Sequence, residues 1–169
     1  MRDPSELVWL PVLNDDFWWS NEITGIKFEG TITATYSLRP TFAMTDTGTS
    51  CTYIPEMYYE PIRKKIIELS ADGDEAYIDW YGDLMVDCDY VSSFPTISFL
   101  FGGYWMEMLP EDYFVEWQGE CFACLGKEDF LDGFLLGDAF LRGYYSTHDH
   151  TNKRFGFAPH AESKKKAVY

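Results

Sequence analysis

The sequence predicts a mostly β fold in about one domain. Short alternating runs of β-branched and aromatic residues recur between Gly, Pro, Asn and Asp, aromatics make up 18% of the chain, and clear helical periodicity is confined to one stretch. With 169 residues and a hydrophobic fraction of 46%, the chain can bury a real core and is not a disordered polymer. No apolar run approaches the roughly 18 residues that span a bilayer. Met1 to Glu6 lack an apolar stretch, so no signal peptide is visible.

Taken in order, residues 7–19 read as an edge strand broken by Pro11 and a return strand through Phe17-Trp18-Trp19. Residues 23–28 and 30–36 alternate as a hairpin around Glu29-Gly30, and Phe42 to Thr45 enter a tight turn at Asp46. Thr52-Tyr53-Ile54 precede Pro55, a good first helical residue. From Pro55 to Leu69 the apolar residues Met57, Tyr58, Ile62, Ile66 and Leu69 recur near helical spacing, which predicts a helix with that stripe in the core. Residues 71–74 end it as a turn. Strands are predicted over 77–80, 84–88, 96–101, 104–109 and 122–125, with a single helical turn at 110–114. The apolar run Phe134-Leu135-Leu136 reads as a buried strand running into Gly137, followed by a short helix over 138–143. A last hairpin, 144–147 with 154–158, turns at Thr151-Asn152-Lys153, and residues 160–169 read as a loose tail.

The formal charge is −15, from 28 acidic and 13 basic residues. Such a surface repels phosphate backbones and argues against nucleic acid as a partner. The basic cluster Lys164-Lys165-Lys166 is expected to stay solvated in the tail. Cys51, Cys88, Cys121 and Cys124 allow three fully paired connectivities. Cys121-Phe122-Ala123-Cys124 lacks the second ligand pair of a zinc site and the βαβ setting of a redox motif, so structural disulfides in an oxidising compartment are the reading. His148-Asp149-His150 places both imidazoles on one face of a strand and the carboxylate on the other, with no third ligand at hand for a metal. The aromatics Trp9, Phe17, Trp18 and Trp19 read as packing residues.

The chemically informative stretch is Phe42-Ala43-Met44-Thr45-Asp46-Thr47-Gly48-Thr49-Ser50. A carboxylate at the head of this turn is surrounded by backbone N–H groups and by the hydroxyls of Thr47, Thr49 and Ser50. Those donors orient it and set its proton affinity. Gly48 leaves room for a substrate or a second backbone. An Asp-Thr-Gly turn alone is also common between two strands.

Its company narrows the reading. Trp9-x-Pro11-Val12 with Phe17-Trp18, Ile23-x-Gly25-Ile26, Asp46-Thr47-Gly48-Thr49-Ser50, Phe94-Pro95-x-Ile97-x-Phe99 and Pro110-Glu111-Asp112-Tyr113 occur in that order. Leu135-Leu136-Gly137-Asp138-x-Phe140-Leu141-Arg142 and Phe155-Gly156-Phe157-Ala158 close the series. This pattern resembles the C-terminal lobe of pepsin-like aspartic proteases from about Leu7 to Pro159. The resemblance implies a single β-barrel-like lobe with a few short helices over residues 1–159 and a loose basic tail over 160–169. It implies that Asp46 is one of two catalytic aspartates, that Thr47 hydrogen-bonds across to another lobe, and that Thr49 donates to the outer oxygen of Asp46. Leu135-Leu136-Gly137 would brace the loop from behind. Cys88 and Cys121 match the family's lobe disulfide, and Cys51 with Cys124 would form a second pair or remain buried thiols. No cofactor or metal is implied.

The chemistry needs two carboxylates sharing one proton. No second Asp-Thr-Gly or Asp-Ser-Gly occurs, and Asp72-Gly73 and Asp132-Gly133 read as ordinary turns. The implied function is therefore an aspartic-type endopeptidase acting on a peptide or protein substrate, of which this chain supplies one lobe and the N-terminal lobe is missing. Two alternatives are a half-enzyme that works as a homodimer, as retroviral proteases do, and a non-catalytic lobe that binds a peptide or partner protein. By analogy the location is the secretory pathway, a lysosome or vacuole, or the extracellular space.

Overall fold

A computed structural model describes residues 3–13, 18–165 and, as backbone, 167–168. The elements run β1 (Val8–Pro11), β2 (Ser20–Glu29), β3 (Thr33–Thr45), β4 (Thr52–Pro55), α1 (Glu56–Leu69), β5 (Tyr77–Ile78), β6 (Leu84–Val86), β7 (Thr96–Phe101) and β8 (Tyr104–Met108). There follow α2 (Pro110–Tyr113), β9 (Phe114–Trp117), β10 (Glu120–Ala123), β11 (Leu125–Glu128), β12 (Phe134–Leu136), α3 (Asp138–Leu141), β13 (Tyr144–Asp149), β14 (Arg154–Pro159) and β15 (Ala167–Val168). Among the described residues they form an eight-stranded sheet in the order β11-β4-β12-β3-β2-β7-β8-β15, a four-stranded sheet β5-β6-β10-β9, and a three-stranded sheet β1-β14-β13. The mostly β, single-lobe expectation holds.

Aromatic side chains join the layers. Phe99 of β7 meets Phe134 at 5.8 Å and Phe140 at 5.7 Å, and Phe140 meets Phe157 of β14 at 5.7 Å. All four rings are fully buried, so the sheet-to-sheet core is an edge-to-face aromatic chain. In α1 the buried residues are Ile62, Ile66 and Leu69, the i, i+4, i+7 stripe that its period requires. Met57 does not belong to it: nine residues before Ile66 at 100° each, it points the opposite way and is exposed. Pro61 lies inside the helix on its exposed side, and having no N–H it leaves the Met57 carbonyl, four residues back, without its helical donor.

Several boundaries differ from the sequence reading. The two predicted segments 30–36 and 42–45 belong to one strand, β3. Pro40 lies in an irregular stretch, where Ile23 and Gly25 of β2 face Thr41 and Ser37, so it takes no donor from a regular ladder. Trp18 and Trp19 precede β2 and are not strand residues, and Phe17 lies outside the described residues. The predicted strand 122–125 is split at Cys124, where the chain passes from the four-stranded to the eight-stranded sheet. There Cys124 N donates to the Tyr113 carbonyl at 2.6 Å and the Cys124 carbonyl accepts from Thr52 N at 3.0 Å.

The tail is the largest correction. It was expected to be loose and its lysines solvated; instead Lys165 is 1% exposed and β15 pairs with Trp105 and Met106 of β8. The Lys165 ammonium donates to the Phe140 carbonyl at 2.8 Å, pairs with Asp112 at 3.1 Å and sits 4.6 Å from the centre of the Tyr144 ring. Burial draws its pKa down to about 8 and pushes that of Asp112 up, each opposed by the attraction of the partner. A run of three lysines reads as a solvated charge cluster; only the tertiary fold supplies the carboxylate that takes one inside.

Candidate active site

The turn bearing Asp46 lies between β3 and β4, and β12 threads between these two strands. It pairs parallel with β3, Leu135 opposite Met44 and Leu136 opposite Thr45, and antiparallel with β4, Leu135 opposite Tyr53 and Leu136 opposite Thr52. The Leu136 carbonyl accepts from Asp46 N at 3.0 Å. The first residues of α3 then reach the far side of the turn: Asp138 N donates to the Thr49 carbonyl at 2.8 Å and Ala139 N to that of Ser50 at 3.0 Å. Gly137 makes this approach possible. A Cβ there would come within 2.5 Å of the Cys51 carbonyl oxygen and closer still to that of Thr49.

Within the turn, Thr49 Oγ1 donates to Asp46 Oδ2 at 2.6 Å and Gly48 N to Oδ1 at 2.9 Å. These bonds hold the Asp46 carboxyl below its ordinary pKa, the Thr49 hydroxyl first and the Gly48 N–H second, against a smaller opposing effect of burial. Of the hydroxyls expected around the carboxylate, Thr49 alone bonds it. Thr47 and Ser50 are exposed and direct no hydrogen bond to Asp46. Gly48 packs against the carboxylate itself, since a Cβ there would lie 3.2 Å from Oδ1.

Asp46 and Thr47 open onto a cleft of about 480 Å³ that is also lined by Trp18, Trp19, Leu141, His148, His150 and Phe155. Asp46 is its one carboxylate among the described residues. On the other side of the turn, Gly48, Thr49, Ser50, Tyr53, Glu128 and Leu135 line a second hollow of about 360 Å³.

Sequence reasoning missed the two histidines here. His148 and His150 flank the Trp19 indole edge-on, with ring centres 4.6 and 4.7 Å away. Their two-residue spacing put them on one face of the strand, but nothing local says that this face meets Asp46. Asp149 points elsewhere, accepting from Asn152 and from Arg154 Nε at 2.7 Å, which brings its pKa down to about 2. No group of three or more His, Cys, Asp or Glu among the described residues is placed to hold a metal ion.

Cys51 is bonded to Cys124 and Cys88 to Cys121. The first bridge ties the end of the Asp46 turn to the crossover between sheets. Two disulfides fit an oxidising compartment.

Residues 4–160 match the family profile described as eukaryotic aspartyl protease. The chain is 31% identical to gastricsin of Mus musculus over 159 residues, covering 91% of this chain and 38% of that protein. It is 34% identical to a vacuolar aspartic protease of Candida albicans over 160 residues, covering 91% of this chain and 35% of that protein. It thus spans well under half the length of these curated relatives. A match that runs through the Asp46 turn, the β12 brace and nearly every strand around them places this chain in the eukaryotic aspartyl protease family.

Proposed function

We propose that the chain is the C-terminal lobe of an aspartic-type endopeptidase and supplies Asp46 as one of two catalytic carboxylates. The observation that carries this reading is the Asp46 carboxylate, fixed by Gly48 N and Thr49 Oγ1 and facing an open cleft in which it is the one carboxylate among the described residues. Alone, with its pKa held below the ordinary carboxylate value, this group is ionised near neutral pH and has no proton to give a substrate carbonyl. A second carboxylate a few Å away changes that, because the two cannot both ionise and so retain a shared proton. The ionised member accepts a proton from water as the water attacks the scissile carbonyl carbon. The protonated member donates to the carbonyl oxygen, and the proton then passes to the leaving amine. Thr47, exposed beside Asp46, would bond the loop that brings the second acid. The β12–α3 brace keeps Asp46 in position with backbone bonds alone. Work in a secretory, lysosomal or vacuolar compartment accords with the two disulfides.

The test is the intact mass and activity of the native protein, captured with an antibody against this lobe, alongside the 169-residue chain produced by itself. The expected result is a species of about twice the mass that hydrolyses peptides at acid pH, loses this with Asp46→Asn, and has no counterpart activity in the short chain. A native 19.6 kDa species that is dimeric and active would replace this reading with the homodimer. A native species that binds peptide unchanged after Asp46→Ala and never hydrolyses it would replace it with a binding lobe.

A further inference from the structure

The four-stranded sheet has one face inside and one outside. Leu84, Val86, Phe114, Cys121 and Ala123 point inward and are at most 5% exposed. By the two-residue period, the register Tyr77–Met85–Phe122–Val115 forms a row across all four strands on the outer face. Tyr77 at one side of that row is 50% exposed, and Trp117, next along β9 on the same face, is 69% exposed. The β5–β6 turn at the other end presents Trp80 and Tyr81, 97% and 88% exposed. That turn is ordered: Asp79 Oδ1 accepts from Tyr81 N at 2.9 Å and from Asp83 N at 2.8 Å.

Charge on this face is one-sided. The β5–β6 turn carries Asp79 and Asp83, and between Lys65 and Lys127 the chain has thirteen Asp and Glu residues and no Lys, Arg or His, of which Glu68 pairs with Lys65 and Asp112 is buried against Lys165. Glu120 lies on the outer face, accepting from the Tyr77 hydroxyl at 3.3 Å and directly opposite Trp117. Arg63 reaches the edge of the β5–β6 turn from α1, but it donates to the Gly82 carbonyl and is paired with Glu60.

We infer that this outer face is a docking surface for a Lys/Arg-rich segment of a separate polypeptide. Exposed aromatic faces attract cations, guanidinium above all, and neighbouring carboxylates pair with the same groups. Glu120, Asp79 and Asp83, with the net charge of the chain behind them, bring a cationic partner in from a distance and repel phosphate, anionic lipid and a second copy of this −15 chain. From Trp117 to Trp80 is three strand spacings across and five residues along, roughly 22 Å, the reach of about seven extended residues. This surface is independent of Asp46 and of the catalytic reading.

The test is fluorescence anisotropy of a labelled arginine-rich nonapeptide against the 169-residue chain at neutral pH. The double variant Trp80→Ala/Trp117→Ala is expected to weaken binding about tenfold or more. Glu120→Gln should weaken it by a smaller factor, added salt should weaken it further, and Phe130→Ala, an equally exposed aromatic elsewhere, should change nothing. All these side chains are exposed, and near-UV circular dichroism confirms that each variant is folded. Binding that ignores the tryptophans, or that falls equally with Phe130→Ala, would reduce the effect to generic attraction by net charge and overturn the proposal. Salt-insensitive binding of a chito-oligosaccharide through the same tryptophans, with none of the peptide, would overturn it in favour of a sugar.

Discussion

Replacing Lys165 by Met tests the anchor of the C-terminal segment. The substitution keeps the length of the aliphatic stem against Phe140 and Tyr144 but leaves Asp112, 7% exposed, without its cation. Breaking a buried pair from one side costs about 3–5 kcal/mol when the orphaned charge has no escape. Asp112 has one: it can bind a proton. At pH 7, protonating a carboxyl whose ordinary pKa is 3.8 costs about 4 kcal/mol, which caps the penalty. Leu109 N still donates to Asp112 Oδ2 at 2.7 Å, and Lys165 is itself held with its pKa drawn down to about 8, so its removal also relieves a strain. The expected loss is about 2–4 kcal/mol at pH 7. The sign with pH follows from Asp112, whose folded-state pKa is raised. A neutral Asp112 is fully tolerated below pH 3.8, so the deficit relative to wild type falls below about 1 kcal/mol near pH 4 and grows as pH rises toward neutrality. Adding Asp112→Leu to Lys165→Met should recover most of the stability at pH 7. Urea unfolding of the disulfide-intact proteins at both pH values measures all of this. A Lys165→Met deficit equal at pH 4 and pH 7, or absent at pH 7, would refute the reasoning.

Thr49→Val removes the 2.6 Å bond to Asp46 Oδ2, so the Asp46 pKa should rise toward its ordinary value, read from its side-chain carbon shift in an NMR titration; an unchanged value would mean that Gly48 N suffices. Gly137→Ala drives a methyl into the Thr49 and Cys51 carbonyls and should destabilise by about 1–3 kcal/mol while accelerating amide exchange at Asp138 and Ala139. Removing the Cys51–Cys124 bridge as a Ser pair opens a separation of 73 residues and should cost about 4 kcal/mol in urea unfolding on the chain-entropy estimate. Removing Cys88–Cys121, with a separation of 33, should cost slightly less and leave the Asp46 pKa unmoved.

The Asp46 turn, the hairpin of β2 and β3, the apolar run of β12 and the helix α1 were all legible in the chain, because each rests on local rules. A hydroxyl-rich turn after a strand, alternation about a Gly, a wholly apolar triplet before Gly137 and a recurring apolar stripe need no distant partner to be recognised. Met57 shows the limit of such rules within one element: counting apolar residues admitted it, and the angle around the helix excluded it.

What only the tertiary structure decided involves partners far apart in sequence. Composition left the four cysteines three pairings, and the resemblance that singled out Cys88 with Cys121 still left Cys51 and Cys124 as a pair or as thiols; the fold bonds them where the end of the Asp46 turn meets the crossover between sheets. His148 and His150 had a face but no neighbour until the three-stranded sheet set them around Trp19 beside Asp46. Three lysines in a row read as solvated until Asp112, Phe140 and Tyr144 closed around one of them. Sequence alone thus determined that this is a mostly β lobe carrying one oriented aspartate, since patterning and turn chemistry act over a few residues. The fold decided what surrounds that aspartate, because burial, pairing and proton affinity depend on groups that only long-range packing brings together.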